Sequence, residues 1–173
     1  DSGALDNQVL TANIEHLIAL NVNNKNIDSL EGIQAFLSLT ELDCGNNYLN
    51  DLDVSGMVNL ENLYCGSNYF LTNNPANTNG LLNTTGTVSL TRLFCANNNL
   101  ADLNIASNPN LEILDCSNNK LQVLDISNNN NLVEVNCNSN QITNLSTSAV
   151  NNNSLVEYTS IKNYLYFNIF IFY

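Results

Sequence analysis

The chain has 173 residues, with 16 Asp or Glu against four Lys or Arg and a formal net charge of -12. Nucleic acids and anionic lipid surfaces bind clustered cations, and no apolar stretch is long enough to span a bilayer, so we expect neither nucleic-acid binding nor membrane insertion. The length suits one domain, and about a fifth of the residues are Asn, which favours a fold with many tight turns.

In chain order, residues 1–16 match no repeat and are interpreted as a partial N-terminal cap, residues 17–165 as repeats, and residues 166–173 as an atypical end or cap. The chain opens at Asp1 rather than at Met, so we interpret it as a mature or trimmed fragment. Its last residues are nearly all apolar or aromatic. Because an open solenoid end exposes its core, we expect this segment either to cover the last coil or to mediate self-association.

Five cysteines define the repeat, because successive ones are separated by 21, 30, 21 and 21 residues. Each follows a Leu by five residues and precedes an Asn by three. The cysteines are Cys44, Cys65, Cys95, Cys116 and Cys137, and the asparagines are Asn47, Asn68, Asn98, Asn119 and Asn140. The unit reads L-x-x-L-x-C-x-x-N-x-L-x-x-L-D-I-S, and its apolar positions alternate at the end of each half. This content predicts a solenoid of about seven coils, mostly β, with short parallel strands on both sides and few helices.

The coil that starts at Leu60 is nine residues longer than its neighbours, and the extra residues fall between Phe70 and Leu82. Lengthening a corner costs little free energy, so we interpret the insertion as a tolerated bulge. The alternative is that it borders a binding site.

Stacked coils place equivalent residues in columns, and the Leu and Cys columns are predicted to form the core. Thiols of neighbouring coils would lie about a strand spacing apart, farther than the roughly 3.5–4.5 Å between the Cβ atoms of a disulfide. The chain also lacks the spacing of a zinc site, so we expect five reduced, buried thiols and no cofactor. The Asn column is expected to tie each tight turn to the next coil, since a buried amide both donates and accepts hydrogen bonds.

A second polar column, Asp53, Asn104 and Asp125, alternates with apolar residues in the second half of the unit. The favoured interpretation is turn capping that involves neighbours such as Ser55 and Ser127. The alternative is a weak Ca²⁺ site with Asp53 and Asp125 as oxygen ligands.

The outward positions of the first strand supply the candidate ligand-binding residues. Exposed aromatic side chains among polar groups are typical of protein hot spots and of surfaces that stack on sugars. A solvated face with incidental aromatic residues is the alternative. The candidates are Tyr64 and Phe94 on adjacent coils, Arg92 and Ile113 beside them, and Glu41, Asp43 and Asp115.

This unit, repeated from Leu17 to Leu165, resembles the leucine-rich repeat in the short bacterial variety found in secreted surface proteins of marine bacteria. The resemblance implies a secreted or cell-surface protein that recognises a protein or glycan ligand, as in adhesion, through the concave side formed by the first strands. One alternative is a repeat spacer without a dedicated ligand, stabilised by Ca²⁺ in one version. Ice binding ranks last, because the outward columns are mixed rather than a flat ladder of Thr.

Catalysis is not expected. The single histidine, His16, has no Ser or Cys partner at a recognisable spacing, and the chain has no phosphate-binding loop or dinucleotide motif.

Overall fold

A computed structural model describes residues 14–70, 82–148 and 157–159 of the chain. These residues wind into a β-solenoid of about six turns with parallel strands, which confirms the predicted fold class. Most of the predicted N-terminal cap, the insertion after Phe70, most of the last predicted coil and residues 166–173 lie outside the described residues.

One long sheet runs the length of the solenoid and receives one strand from each coil. Its seven strands are β1 Ala19–Asn21, β2 Glu41–Asp43, β4 Asn62–Tyr64, β6 Arg92–Phe94, β7 Ile113–Asp115, β9 Glu134–Asn136 and β11 Glu157–Thr159. They pair in parallel in this order. In each strand of this sheet from β2 to β9 the central residue is buried and its two neighbours are more exposed, as the alternation of the sequence predicts.

The opposite side carries strands in two separate pairs, of which only the first has shorter strands. Strand β3 (Leu52–Asp53) pairs with β5 (Leu82–Asn83), and β8 (Val123–Asp125) pairs with β10 (Asn144–Ser146). The coil between the two pairs has no strand at Leu103, because the N–H of Leu103 donates to Oδ1 of Asp102 at 3.0 Å instead of to a neighbouring coil. A 3-10 helix at Ile33–Ala35 occupies this side of the first coil.

The core consists of the predicted Leu column and its neighbours. Leu42, Leu63, Leu93 and Leu114 stand in register on adjacent strands and have no solvent exposure. In the lengthened coil Phe70 lies two residues after Asn68, where most other coils have Leu, and it is equally buried. Each such side chain contributes roughly 1.5–3 kcal/mol by leaving water, so the coils stabilise one another through shared burial.

The tight turn contains a left-handed residue, which is Asn in three of the five coils and Ser in the other two. The residue two places after each Cys has a positive φ, between 52° and 57°. Asn reaches this left-handed region at less cost than most residues, so this position accounts for part of the Asn content. The residues are Asn46, Ser67, Asn97, Asn118 and Ser139.

Candidate functional site

The Asn column ties neighbouring coils together inside the turn. Nδ2 of Asn119 donates to the carbonyl oxygens of Cys116 in its own coil and Cys95 in the preceding coil, both at 3.0 Å. Its Oδ1 accepts from the N–H of Leu100 at 3.0 Å. Asn140 repeats the pattern with Cys137, Cys116 and Leu121. The partner coil is the preceding one, not the next one as expected, because the N–H groups of Leu100 and Leu121, each two residues after the Asn of its own coil, have no backbone acceptor.

A second Asn column on the other side of the solenoid was not predicted. Asn108 and Asn129 have no solvent exposure. Nδ2 of Asn129 donates to the carbonyl oxygens of Ile105 and Asn108 in the preceding coil. The sequence did contain a signal for this column, because I-x-x-N in the second half of the unit repeats the pattern C-x-x-N of the first half. Met57 and Thr87 take the same place in earlier coils and conceal the echo.

Short acidic and amide side chains cap the turns on both sides of the solenoid. On the side of the two strand pairs, Oδ1 of Asp53, Asn83, Asn104 and Asp125 accepts from the N–H two residues later, at 2.9–3.1 Å. Hydrogen bonds from Ser127 lower the pKa of Asp125. Among the described residues no group of three or more His, Cys, Asp or Glu is placed to hold a metal ion. The geometry of Asp53 and Asp125 is therefore that of the turn caps.

The same turn type explains most of one outward column of the long sheet. Asn21, Asp43, Asp115 and Asn136 each accept a hydrogen bond at Oδ1 from the N–H two residues later. Tyr64 and Phe94 occupy the corresponding positions in the two coils between Asp43 and Asp115. An aromatic ring cannot make this cap, so these two side chains have no role in the turn.

Tyr64 and Phe94 form a stacked pair on this face. Their ring centroids are 5.0 Å apart and their planes differ by 6°. Both residues are half-buried, which leaves part of each ring open to a ligand. We call the register-matched residues Asp43, Tyr64, Phe94 and Asp115 the aromatic column.

The other predicted ligand-binding residues form the neighbouring column. Glu41, Asn62, Arg92 and Ile113 follow one another in register, two residues before the aromatic column on each strand. The guanidinium of Arg92 donates from Nη1 to Oδ1 of Asn62 at 3.3 Å. The structure thus brings all seven candidates onto one face of the long sheet.

A second stacked pair, Tyr48 and Tyr69, was not predicted. Their ring centroids are 5.5 Å apart and their planes differ by 15°. They are 45% and 47% exposed. Each follows the turn Asn of its coil by one residue, so alignment of the units would have placed them side by side.

All five cysteines are free and buried in the core. Burial raises the pKa of the Cys44 thiol from 9.0 to about 12, and the nearby charge of Asp43 acts in the same direction. Burial also raises the pKa of Cys65, Cys95 and Cys116. Thiols with raised pKa values hold little thiolate at neutral pH, so these side chains act as small apolar residues.

His16 lies on the first coil, with Nε2 at 3.4 Å from Oε1 of Glu15, and its side chain is 85% exposed. In the described part of the chain no helix is long and apolar enough to cross a membrane.

The long parallel sheet, the Leu core and the repeated turn define a leucine-rich repeat solenoid. No protein-family model matches the chain, and no protein of curated function matches it. Solved structures are similar to it. The functional domain of InlJ from Listeria monocytogenes, described as including a cysteine ladder, is 25% identical with a TM-score of 0.65, and the match covers 88% of this chain and 34% of that one.

An internalin, InlF of Listeria monocytogenes strain 4b F2365, has the same fold. It is 21% identical with a TM-score of 0.63, and the match covers 88% of this chain and 50% of that one. The chain therefore spans about a third to a half of the length of these proteins.

Proposed function

We propose that the chain is an extracellular recognition module that binds a protein or glycan ligand, in an adhesion role at the bacterial cell surface or after secretion. The single observation that carries the proposal is the stacked pair of Tyr64 and Phe94 on the long sheet. These rings occupy positions where the adjoining coils carry turn caps, and they contribute nothing to the turn. The likeness to an internalin domain of the same fold supports a binding role.

The surrounding residues suit a protein ligand in particular. A hot spot combines large, half-buried anchors with polar groups around them. Here Ile113 adds apolar surface, and Arg92, Glu41 and the two Asp residues of the aromatic column supply charge. Because the two rings are held by each other, little side-chain freedom is lost when a ligand covers them.

Protein and glycan arrays probed with the purified chain test this proposal. The variant Tyr64→Asn with Phe94→Asn removes both rings and gives each turn the cap that Asn136 makes in its own coil. We expect this variant to lose the array signals and to keep the melting temperature of the wild type. The control, Tyr48→Asn with Tyr69→Asn, removes the other exposed pair and is expected to retain binding.

Array signals that survive removal of Tyr64 and Phe94 would contradict the proposed surface. A wild-type chain that binds nothing on either array would contradict the recognition role and favour a passive spacer.

A further inference from the structure

The shape of the aromatic column, together with its charges, indicates what the ligand carries. Each stacked ring has one face against its partner and the other turned along the solenoid, away from the pair. The outer face of Tyr64 is turned towards the preceding coil, which holds Asp43, and that of Phe94 towards the following coil, which holds Asp115. An Asp side chain is much shorter than an aromatic one, so each end of the stack forms a notch. A carboxylate is the floor of the notch, and an aromatic face is its wall.

Both carboxylates are held in place at the bottom of these notches. Oδ1 of Asp115 accepts from the N–H and the hydroxyl of Ser117 at 3.0 and 2.7 Å. Oδ1 of Asp43 accepts from the N–H of Gly45 at 3.1 Å and from Nδ2 of Asn23 at 2.9 Å. The notches are therefore preorganised rather than formed by mobile side chains.

The wider face is strongly anionic and its charges are not neutralised locally. Arg92 is the cationic residue of this face in the described part of the chain, and its guanidinium is hydrogen-bonded to the neutral side chain of Asn62. Among the described residues the structure shows no ion pair between a Lys or Arg and a carboxylate, and the contact of His16 with Glu15 lies on the first coil. Six carboxylates lie on or beside the sheet face, at Glu41, Asp43, Glu61, Glu112, Asp115 and Glu134.

We propose, on the basis of the recognition role above, that the aromatic column binds a basic segment of a partner protein through two cationic side chains, one in each notch. Arginine fits best, because a planar guanidinium stacks on an aromatic face while it donates hydrogen bonds to a carboxylate. Lysine offers a point charge without the stacking surface. The negative potential of the face attracts such a segment before contact.

The distance between the notches sets the spacing of the two cations. Cations that stack roughly 3.5 Å from the two outer ring faces lie about 12 Å apart, because the ring centroids are themselves 5.0 Å apart. A polyproline II segment repeats its orientation every three residues and rises by about 9 Å over that length. Two arginines three residues apart therefore face the sheet together, and their long side chains diverge to cover the remaining distance of about 3 Å. The matching motif is Arg-x-x-Arg in an extended segment that runs along the solenoid.

Isothermal titration calorimetry with short blocked peptides tests this inference. The probes are Gly-Arg-Pro-Pro-Arg-Gly, the same peptide with one or four prolines between the arginines, and the version with Lys in place of Arg. We expect the two-proline Arg peptide to bind several-fold more tightly than the other three. Raising the salt concentration should weaken all four peptides.

Charge-matched variants then locate the binding. The double variant Asp43→Asn with Asp115→Asn removes the negative charge at the floor of each notch. It keeps the turn caps, since Asn136 makes the same cap in its own coil. It should weaken the two-proline peptide by about tenfold or more. The control, Asp53→Asn with Asp125→Asn, removes the same charge from capped turns on the opposite side and is expected to leave affinity nearly unchanged.

Equal weakening by both charge variants, or affinity that ignores the spacing of the arginines, overturns the inference in favour of non-specific attraction to an acidic protein. These results leave the recognition role standing if the array signals still depend on Tyr64 and Phe94. Array signals that are independent of both rings overturn the recognition role itself.

Discussion

Replacement of Asn119 by Ala tests how much one turn amide stabilises the solenoid. The change removes the acceptor of the Leu100 N–H, which lies in the buried turn and has no other hydrogen bond to backbone or side chain in the structure. An unpaired buried donor costs about 1–3 kcal/mol. The carbonyl oxygens of Cys95 and Cys116 each lose one donor but keep another, from Asn98 and Asn140 respectively.

The loss of one of two donors to each carbonyl adds less than an orphaned group does, so we expect a total of about 2–4 kcal/mol. Equilibrium unfolding in urea measures it, and with a slope of about 2 kcal/mol per molar urea, the middle of the usual range, the midpoint should fall by roughly 1–2 M. Asn128→Ala, at an exposed turn position of the following corner, is the control and should stay within about 0.5 kcal/mol of the wild type.

Asn119→Asp separates the two functions of the amide. It keeps an acceptor for the Leu100 N–H but points a carboxylate oxygen at three carbonyl oxygens, those of Cys95, Cys116 and Ser117. We expect it to destabilise the chain strongly at neutral pH despite the retained acceptor. Unfolding midpoints for Asn119→Ala and Asn119→Asp that match Asn128→Ala would refute the assignment of the Asn column as the tie between coils.

Three further outcomes follow from the core and the turns. Because burial raises the folded-state pKa of Cys44 from 9.0 to about 12, the contribution of this thiol to stability is complete below pH 9.0 and is lost as the pH rises towards 12. The native protein should also react with a thiol reagent only on unfolding. Rapid labelling of the native protein at pH 8 would contradict the burial of this thiol. Leu114→Ala should lower the free energy of unfolding by about 2–5 kcal/mol in urea unfolding. The side chain of Val123, on the opposite side, is 49% exposed, so Val123→Ala should change stability by about 0.5 kcal/mol or less. Ser127→Ala should return the lowered pKa of Asp125 towards its ordinary range in an NMR titration, and an unchanged pKa would refute the hydrogen-bond cause.

The period of the sequence predicted the columns of the fold because each coil repeats one set of buried positions. The place of Cys44 and Asn47 in the unit was enough to assign one column to the core and another to the turn. The period did not indicate which neighbouring coil each Asn binds. That depends on which N–H the turn leaves without an acceptor, and this is a property of the folded backbone.

Local hydrogen bonds also decided details that a repeat pattern does not encode. Leu103 has the spacing of a strand residue, yet Asp102 diverts its N–H and the strand is absent. The sequence placed Tyr64 and Phe94 on adjacent coils but did not predict that their rings stack. The contrast between two rings and the turn caps of Asp43 and Asp115 became visible once the hydrogen bonds of that column were known.

In three coils the hydrogen bond accepted by the Asn column recurs at the same offset along the chain. Leu49 with Asn68, Leu100 with Asn119, and Leu121 with Asn140 are each separated by 19 residues. Excision of residues 111–131 would therefore bring Asn140 opposite Leu100 and restore this one hydrogen bond. Duplication or loss of a whole unit by recombination consequently keeps this bond in register, whereas a gain or loss of one residue within a unit misplaces an amide. The molecule can lengthen or shorten over evolutionary time in steps of about 4.8 Å without redesign of its interior.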